Sequence, residues 1–117
     1  MRLFLAVLLL GVFSAVSLPA QGICKECIGY FDAARTHIAE GLAFGEIRNE
    51  GIAQSLLQKL SASQQALING GNETAAAILE AFRHEVEAAN DVTIIPCIKP
   101  TLIGDADALI RLMIPCV

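Results

Sequence analysis

Cysteine and histidine are the side chains here with the strongest covalent and acid–base chemistry, and the chain carries four of the first and two of the second. Cys24 and Cys27 stand as a Cys-x-x-Cys pair near the start, and Cys97 and Cys116 stand near the end. Thiols in this number can form a disulfide framework, a metal site or a redox pair, and the compartment decides which. The residues ahead of them have the parts of a secretory leader: a positive charge at Arg2, an apolar stretch from Leu3 to Phe13, then small residues. Cleavage after Ser17, Ala20 or Gly22 would keep every cysteine, and the apolar run is shorter than the roughly 20 residues that span a bilayer. The expectation is a secreted, extracellular protein with a signal peptide over residues 1–20 and a single helical, disulfide-stapled domain over 21–117.

In an oxidising compartment a bridge framework outranks zinc, which needs thiolates kept reduced, and outranks a redox motif, which needs a strand leading into its helix. No metal and no cofactor are therefore expected. Four cysteines allow three pairings, and spacing does not choose among them. Bridges from the first helix to the tail, either Cys24–Cys116 with Cys27–Cys97 or the crossed alternative, are preferred to a local Cys24–Cys27 bond.

Catalysis finds little support. Glu80 and His84, four apart and joined by Glu87, could share a helix face as an acid–base cluster, but Arg83 among them reads better as a solvated salt-bridge surface. His37 stands alone in sequence. There is no His-Glu-x-x-His, nucleophile elbow or phosphate-cradling loop, so no enzyme is expected. Asn72-Glu73-Thr74 matches the N-glycosylation acceptor pattern at a turn, where the plain alternative is a helix cap.

The elements that must position these residues follow from apolar periodicity. Cys24, Cys27 or Ile28, Phe31, Ala34, Ile38 and Leu42 recur every three or four places, one stripe of a helix over about 23–42 ended by Gly41 or Gly45. A second helix is expected over about 46–67, through Ile47, Ile52, Leu56, Leu57, Leu60 and Leu67, with a break near Ser61 or Ser63. Asn69-Gly70-Gly71-Asn72 is a turn. A third helix over about 73–89 aligns Ala75, Ile78, Leu79, Phe82, Val86 and Ala89. Pro96 and Pro100 then predict an extended connector, and Gly104-Asp105 predicts a turn and cap for a last helix through Ile114, using Leu109, Ile110, Leu112 and Met113. The fold class expected is all-α, a small disulfide-linked bundle of four to five helices with an extended Pro-containing connector before the last helix.

After the leader, seven basic side chains face twelve acidic ones, a balance of −5. An acidic chain repels phosphate backbones, which excludes nucleic-acid binding, and it lacks the basic face that cationic attack on membranes requires. Aromatics are few and tryptophan is absent, so the core must be aliphatic. An aliphatic bundle can enclose a hydrophobic ligand between its helices; Ile28, Phe31, Ile38, Leu56, Leu60, Leu79, Phe82, Val86, Leu109 and Met113 are the residues that would line such a cavity.

Two resemblances sit at the cysteine-bearing ends. Cys24-Lys25-Glu26-Cys27-Ile28, leading into an amphipathic helix, resembles the opening of saposin-like proteins, which implies lipid or membrane interaction. The central cysteine pair of that family is missing, and the 18 residues between Cys97 and Cys116 exceed its closing spacing. Gly22-Ile23-Cys24 and Pro115-Cys116-Val117 resemble the termini of secretoglobins, which implies a four-helix secreted fold, a homodimer through terminal cysteines and a hydrophobic ligand. The functional expectation is a secreted non-catalytic protein that binds a lipid or small hydrophobic ligand. The alternative is a recognition or signalling factor, such as a pheromone, defence, venom or reproductive protein, that acts on a protein receptor through its acidic surface.

Overall fold

The structure is a computed structural model in which residues 25–114 are described. The leader with its cleavage points, Cys24, and Pro115 with Cys116 lie outside the described residues. Among the described residues the architecture is all-α: α1 (Lys25–Ala43), α2 (Glu50–Ile68), α3 (Asn72–Ala88) and α4 (Lys99–Met113). Each helix packs on the next, and α4 returns to α1, closing a four-membered ring around one core. The contacts fix the directions. Ser63 on α2 meets Ala75 on α3, Lys59 meets Glu85 further along, and His37 on α1 meets Asp105 on α4, so neighbours run antiparallel.

The expected stripes form the core. Phe31, Ala34 and Ile38 of α1, Leu56 and Leu60 of α2, and Leu79, Phe82 and Val86 of α3 are all fully buried. Covering an aliphatic stripe of this kind is the main favourable contribution to folding, on the order of 2 kcal/mol for each large side chain removed from water. Ile28 falls off the stripe and is half exposed, which leaves Cys27 as the inward residue of that turn.

Turn chemistry sets the helix ends. Gly70 takes φ +87, with its N–H on Leu67 O and the Gly71 N–H on Ala66 O, the paired bonds of a Schellman stop. Gly45 takes φ +79 and ends α1 the same way, with Gly45 N–H on Leu42 O and Glu46 N–H on Gly41 O. Asn49 starts α2 by accepting the Ile52 N–H at 3.0 Å. Neither Ser61 nor Ser63 breaks α2. Ser63 is fully buried and donates to Ala75 O at 2.9 Å, so its hydroxyl ties two helices instead of capping one.

The last helix corrects the sequence reading. Gly104 and Asp105 are interior residues of α4, which starts at Lys99 with Pro100 in its first turn. A proline there forfeits no hydrogen bond, because first-turn N–H groups have no partner within the helix. The earlier start adds Leu102 and Ala106 to the buried stripe of Leu109 and Met113. The connector is also tighter than extended chain. Asn90 Oδ1 accepts from Val92 and Thr93 N–H groups, Ile94 makes a single antiparallel bridge to Ile47, and turn residues lead into α4.

Antiparallel packing of α1 on α4 also separates the two cysteines among the described residues. Cys27 is buried near the start of α1, whereas Ile98, next to Cys97, packs on Gly41 near its other end. Fourteen residues of helix at about 1.5 Å each separate these places by roughly 21 Å, and bridged cysteines have Cα atoms within about 7 Å. No disulfide joins Cys27 to Cys97. The arrangement that pairs Cys27 with Cys97 is therefore corrected, while the crossed one joins Cys97 to Cys24, which lies outside the described residues.

Three outcomes check this description. Non-reducing peptide mapping of monomeric protein should recover no peptide in which Cys97 is joined to Cys27. Asn49→Ala should lower unfolding free energy by about 1 kcal/mol in urea titration, through loss of the α2 cap. Gly41→Val should cost about 2 kcal/mol by overpacking against Ile47 and Ile98, measured the same way.

Candidate functional site

Where α1 ends and α4 begins, the two helices and their flanking loops leave an open cleft of about 410 Å³. Its lining is His37, Glu40 and Phe44 from α1 and the residue beyond it, Glu46 from the following loop, and Cys97, Ile98 and Thr101 from the start of α4. His37, Glu40 and Phe44 fall at helical spacing on one strip, away from the buried stripe of Ala34 and Ile38. The two loops are held by backbone bonds, Arg48 N–H to Thr93 O at 2.7 Å and Ile95 N–H to Glu46 O at 3.0 Å. Glu46 and Cys97 thus hang from a fixed frame.

The polar centre of the cleft is His37. Its Nδ1 donates to Asp105 Oδ2 at 2.6 Å, with Asp105 largely buried behind it. A carboxylate only accepts, so Nδ1 carries the hydrogen of this bond, and Nε2 is left as the ring's remaining hydrogen-bonding atom. Glu40 and Glu46 make the lining acidic, and no lysine or arginine is among the lining residues. At the lip Phe44 is 74% exposed, the most exposed large apolar side chain among the described residues. Cys97 is exposed in the same cleft. Among the described residues no three His, Cys, Asp or Glu side chains lie close enough to hold a metal ion, and no described helix is long and apolar enough to cross a membrane.

Of the residues singled out from sequence, Cys97 and His37 line the cleft and the others are placed elsewhere. Phe31, Ile38, Leu56, Leu60, Leu79, Phe82, Val86, Leu109 and Met113 are fully buried members of one core, Ile28 is half exposed, and none of the ten lines the cleft. Asn72 lies in the first turn of α3, where its Nδ2 donates to Met113 O at 3.1 Å and ties α3 to the end of α4. The Glu80–His84–Glu87 group is a salt-bridge surface. Arg83 approaches Glu87 at 3.3 Å, Asp107 at 3.6 Å and Glu80 at 3.8 Å, while His84 stands 71% exposed. Sequence reasoning missed Glu40, Phe44, Glu46, Thr101 and Asp105. The spacing of His37, Glu40 and Phe44 was visible in the chain, but the pairing of His37 with a residue 68 positions away was not.

No curated protein and no solved structure matches the chain, and the comparisons give no support to either terminal resemblance. One family model does match, that of the FIMAH domain, over residues 31–111, from the second turn of α1 to the last turn of α4. With the match covering more than half of its length, the chain belongs to the FIMAH domain family.

Proposed function

We propose that this chain is an exported, non-catalytic recognition module that engages a protein receptor through the acidic cleft at the junction of α1 and α4. The observation that carries the reading is Phe44, 74% exposed at the lip of a cleft flanked by Glu40 and Glu46. A large apolar side chain displayed beside fixed charges is the arrangement of an interface anchor, with area for burial next to groups that select the partner. A receptor surface carrying lysine or arginine around an apolar pocket is the complement.

The alternative, a carrier of a lipid or small hydrophobic ligand, draws on the aliphatic interior. Nine of its ten proposed lining residues are fully buried side chains of a single core, and close packing is the ordinary state of such an interior, so recognition at the surface is favoured. Export through residues 1–20 belongs to the proposal, as does one intrachain bridge from Cys116 to Cys27 or Cys24. A glycan on Asn72 is compatible with it, since a glycosylated amide keeps one hydrogen with which Nδ2 can still reach Met113 O.

Photo-crosslinking separates the two. The chain carrying a benzophenone side chain at position 44 should label one cell-surface protein, displaced by unlabelled wild-type chain and at least about tenfold less well by Phe44→Ser. Labelling that wild-type chain does not displace would refute the recognition reading. Chloroform–methanol extraction that returns about one lipid per chain, unchanged by Phe44→Ser, would establish the carrier.

A further inference from the structure

We propose that Cys97 is a site of reversible thiol–disulfide exchange that accepts neutral or cationic low-molecular-weight thiols, with His37 as the proton acceptor. The inference stands on the geometry of the cleft, not on the receptor reading. Three observations meet there. Cys97 is exposed and unbridged, and the other cysteine among the described residues, Cys27, lies at the opposite end of α1. His37 lines the same cleft with its Nδ1 fixed on Asp105, which leaves Nε2 as the ring atom able to take a proton. Glu40 and Glu46 complete the wall.

A nucleophile, a base and a residue that orients the base are the parts that make a thiol exchange readily. The Cys97 thiol yields its proton to His37 Nε2, and the thiolate attacks one sulfur of a small disulfide. The disulfide S–S bond breaks as the Cys97–sulfur bond forms. The departing sulfur leaves with the electron pair and recovers the proton from His37 as a free thiol. The Cys97 sulfur is oxidised and the leaving sulfur reduced, so the small disulfide is the only co-reactant.

The acidic wall sets the selectivity. The charged groups facing the thiol from the two helices and the loop are Glu40, Glu46 and His37 with its Asp105. A disulfide bearing carboxylates is repelled at this range, and one bearing ammonium groups is drawn in. Cystamine and oxidised glutathione probe the two cases.

The full secreted chain, reduced and freed of reductant, is mixed with each disulfide and adduct formation is followed by intact mass, with Cys97→Ser as the blank. Cystamine should add one more cysteamine to the wild type than to the blank, which keeps the other three cysteines, and the rate of that extra addition relative to oxidised glutathione should be about tenfold larger than the same ratio for N-acetylcysteine. Glu40→Gln with Glu46→Gln should bring the ratio down to that of N-acetylcysteine. His37→Gln, with helical circular dichroism unchanged, should slow both disulfides by about tenfold or more. A ratio equal to that of N-acetylcysteine in the wild type, an unaltered rate in folded His37→Gln, or formation of a covalent dimer in place of any small-thiol adduct would each overturn the proposal. Should His37→Gln unfold, the ratio in the glutamine pair still decides.

Discussion

At Gly41 the first helix offers bare backbone, and the Ile47 and Ile98 side chains occupy the space where a Cβ would lie, Ile98 Cδ1 falling 2.8 Å from that point. The carbonyl of the same residue accepts both the Glu46 and the Ile47 N–H. One glycine therefore ends α1, turns the chain inward at Ile47 and seats the start of α4. From Ile47 the single bridge to Ile94 fixes the connector, and the connector fixes Cys97. The cleft owes its shape to this close approach. Its walls belong to different elements, yet all of them are referred to a few ångströms of backbone around one residue.

The ring of helices was legible because burial is periodic. Phe31, Ile38, Leu56, Leu60, Leu79, Phe82 and Val86 could be placed on inner faces from spacing alone, and the structure buries each of them. The glycine turns were legible too, since a left-handed residue after a helix leaves few alternatives to Gly45 and Gly70. Misreading entered where one residue type has two uses. Pro100 ends a helix when it lies inside and starts one when it lies in the first turn, and the sequence around it suits both. Gly104 then passed for a turn when it is an exposed position of α4 that leaves the stripe from Leu102 to Met113 unbroken. Ser63 failed similarly, because a hydroxyl that could cap a helix can also bond a carbonyl on the next one.

The site was less legible than the fold for a physical reason. Core residues announce themselves by hydrophobicity at fixed intervals, whereas cleft residues gain meaning from neighbours distant in the chain. His37 is an isolated histidine until α4 brings Asp105 to it, and Phe44 looks like a core aromatic until the turn at Gly45 leaves it outside. The cysteines show the same dependence. Their number suggested two staples, and the direction of α4 relative to α1 sets Cys27 and Cys97 too far apart to share one.

Antiparallel closure has a further result for how the module can be mounted. Lys25 opens α1 at the pole where Met113 closes α4, and the α2–α3 turn lies there as well. The described helices thus begin and end at one pole, while the acidic cleft with Phe44 and Cys97 occupies the opposite one. Cys27 and Gly41 lie roughly 21 Å apart along α1, so the helix acts as a spacer between the pole where the described chain enters and leaves and the pole that carries the cleft.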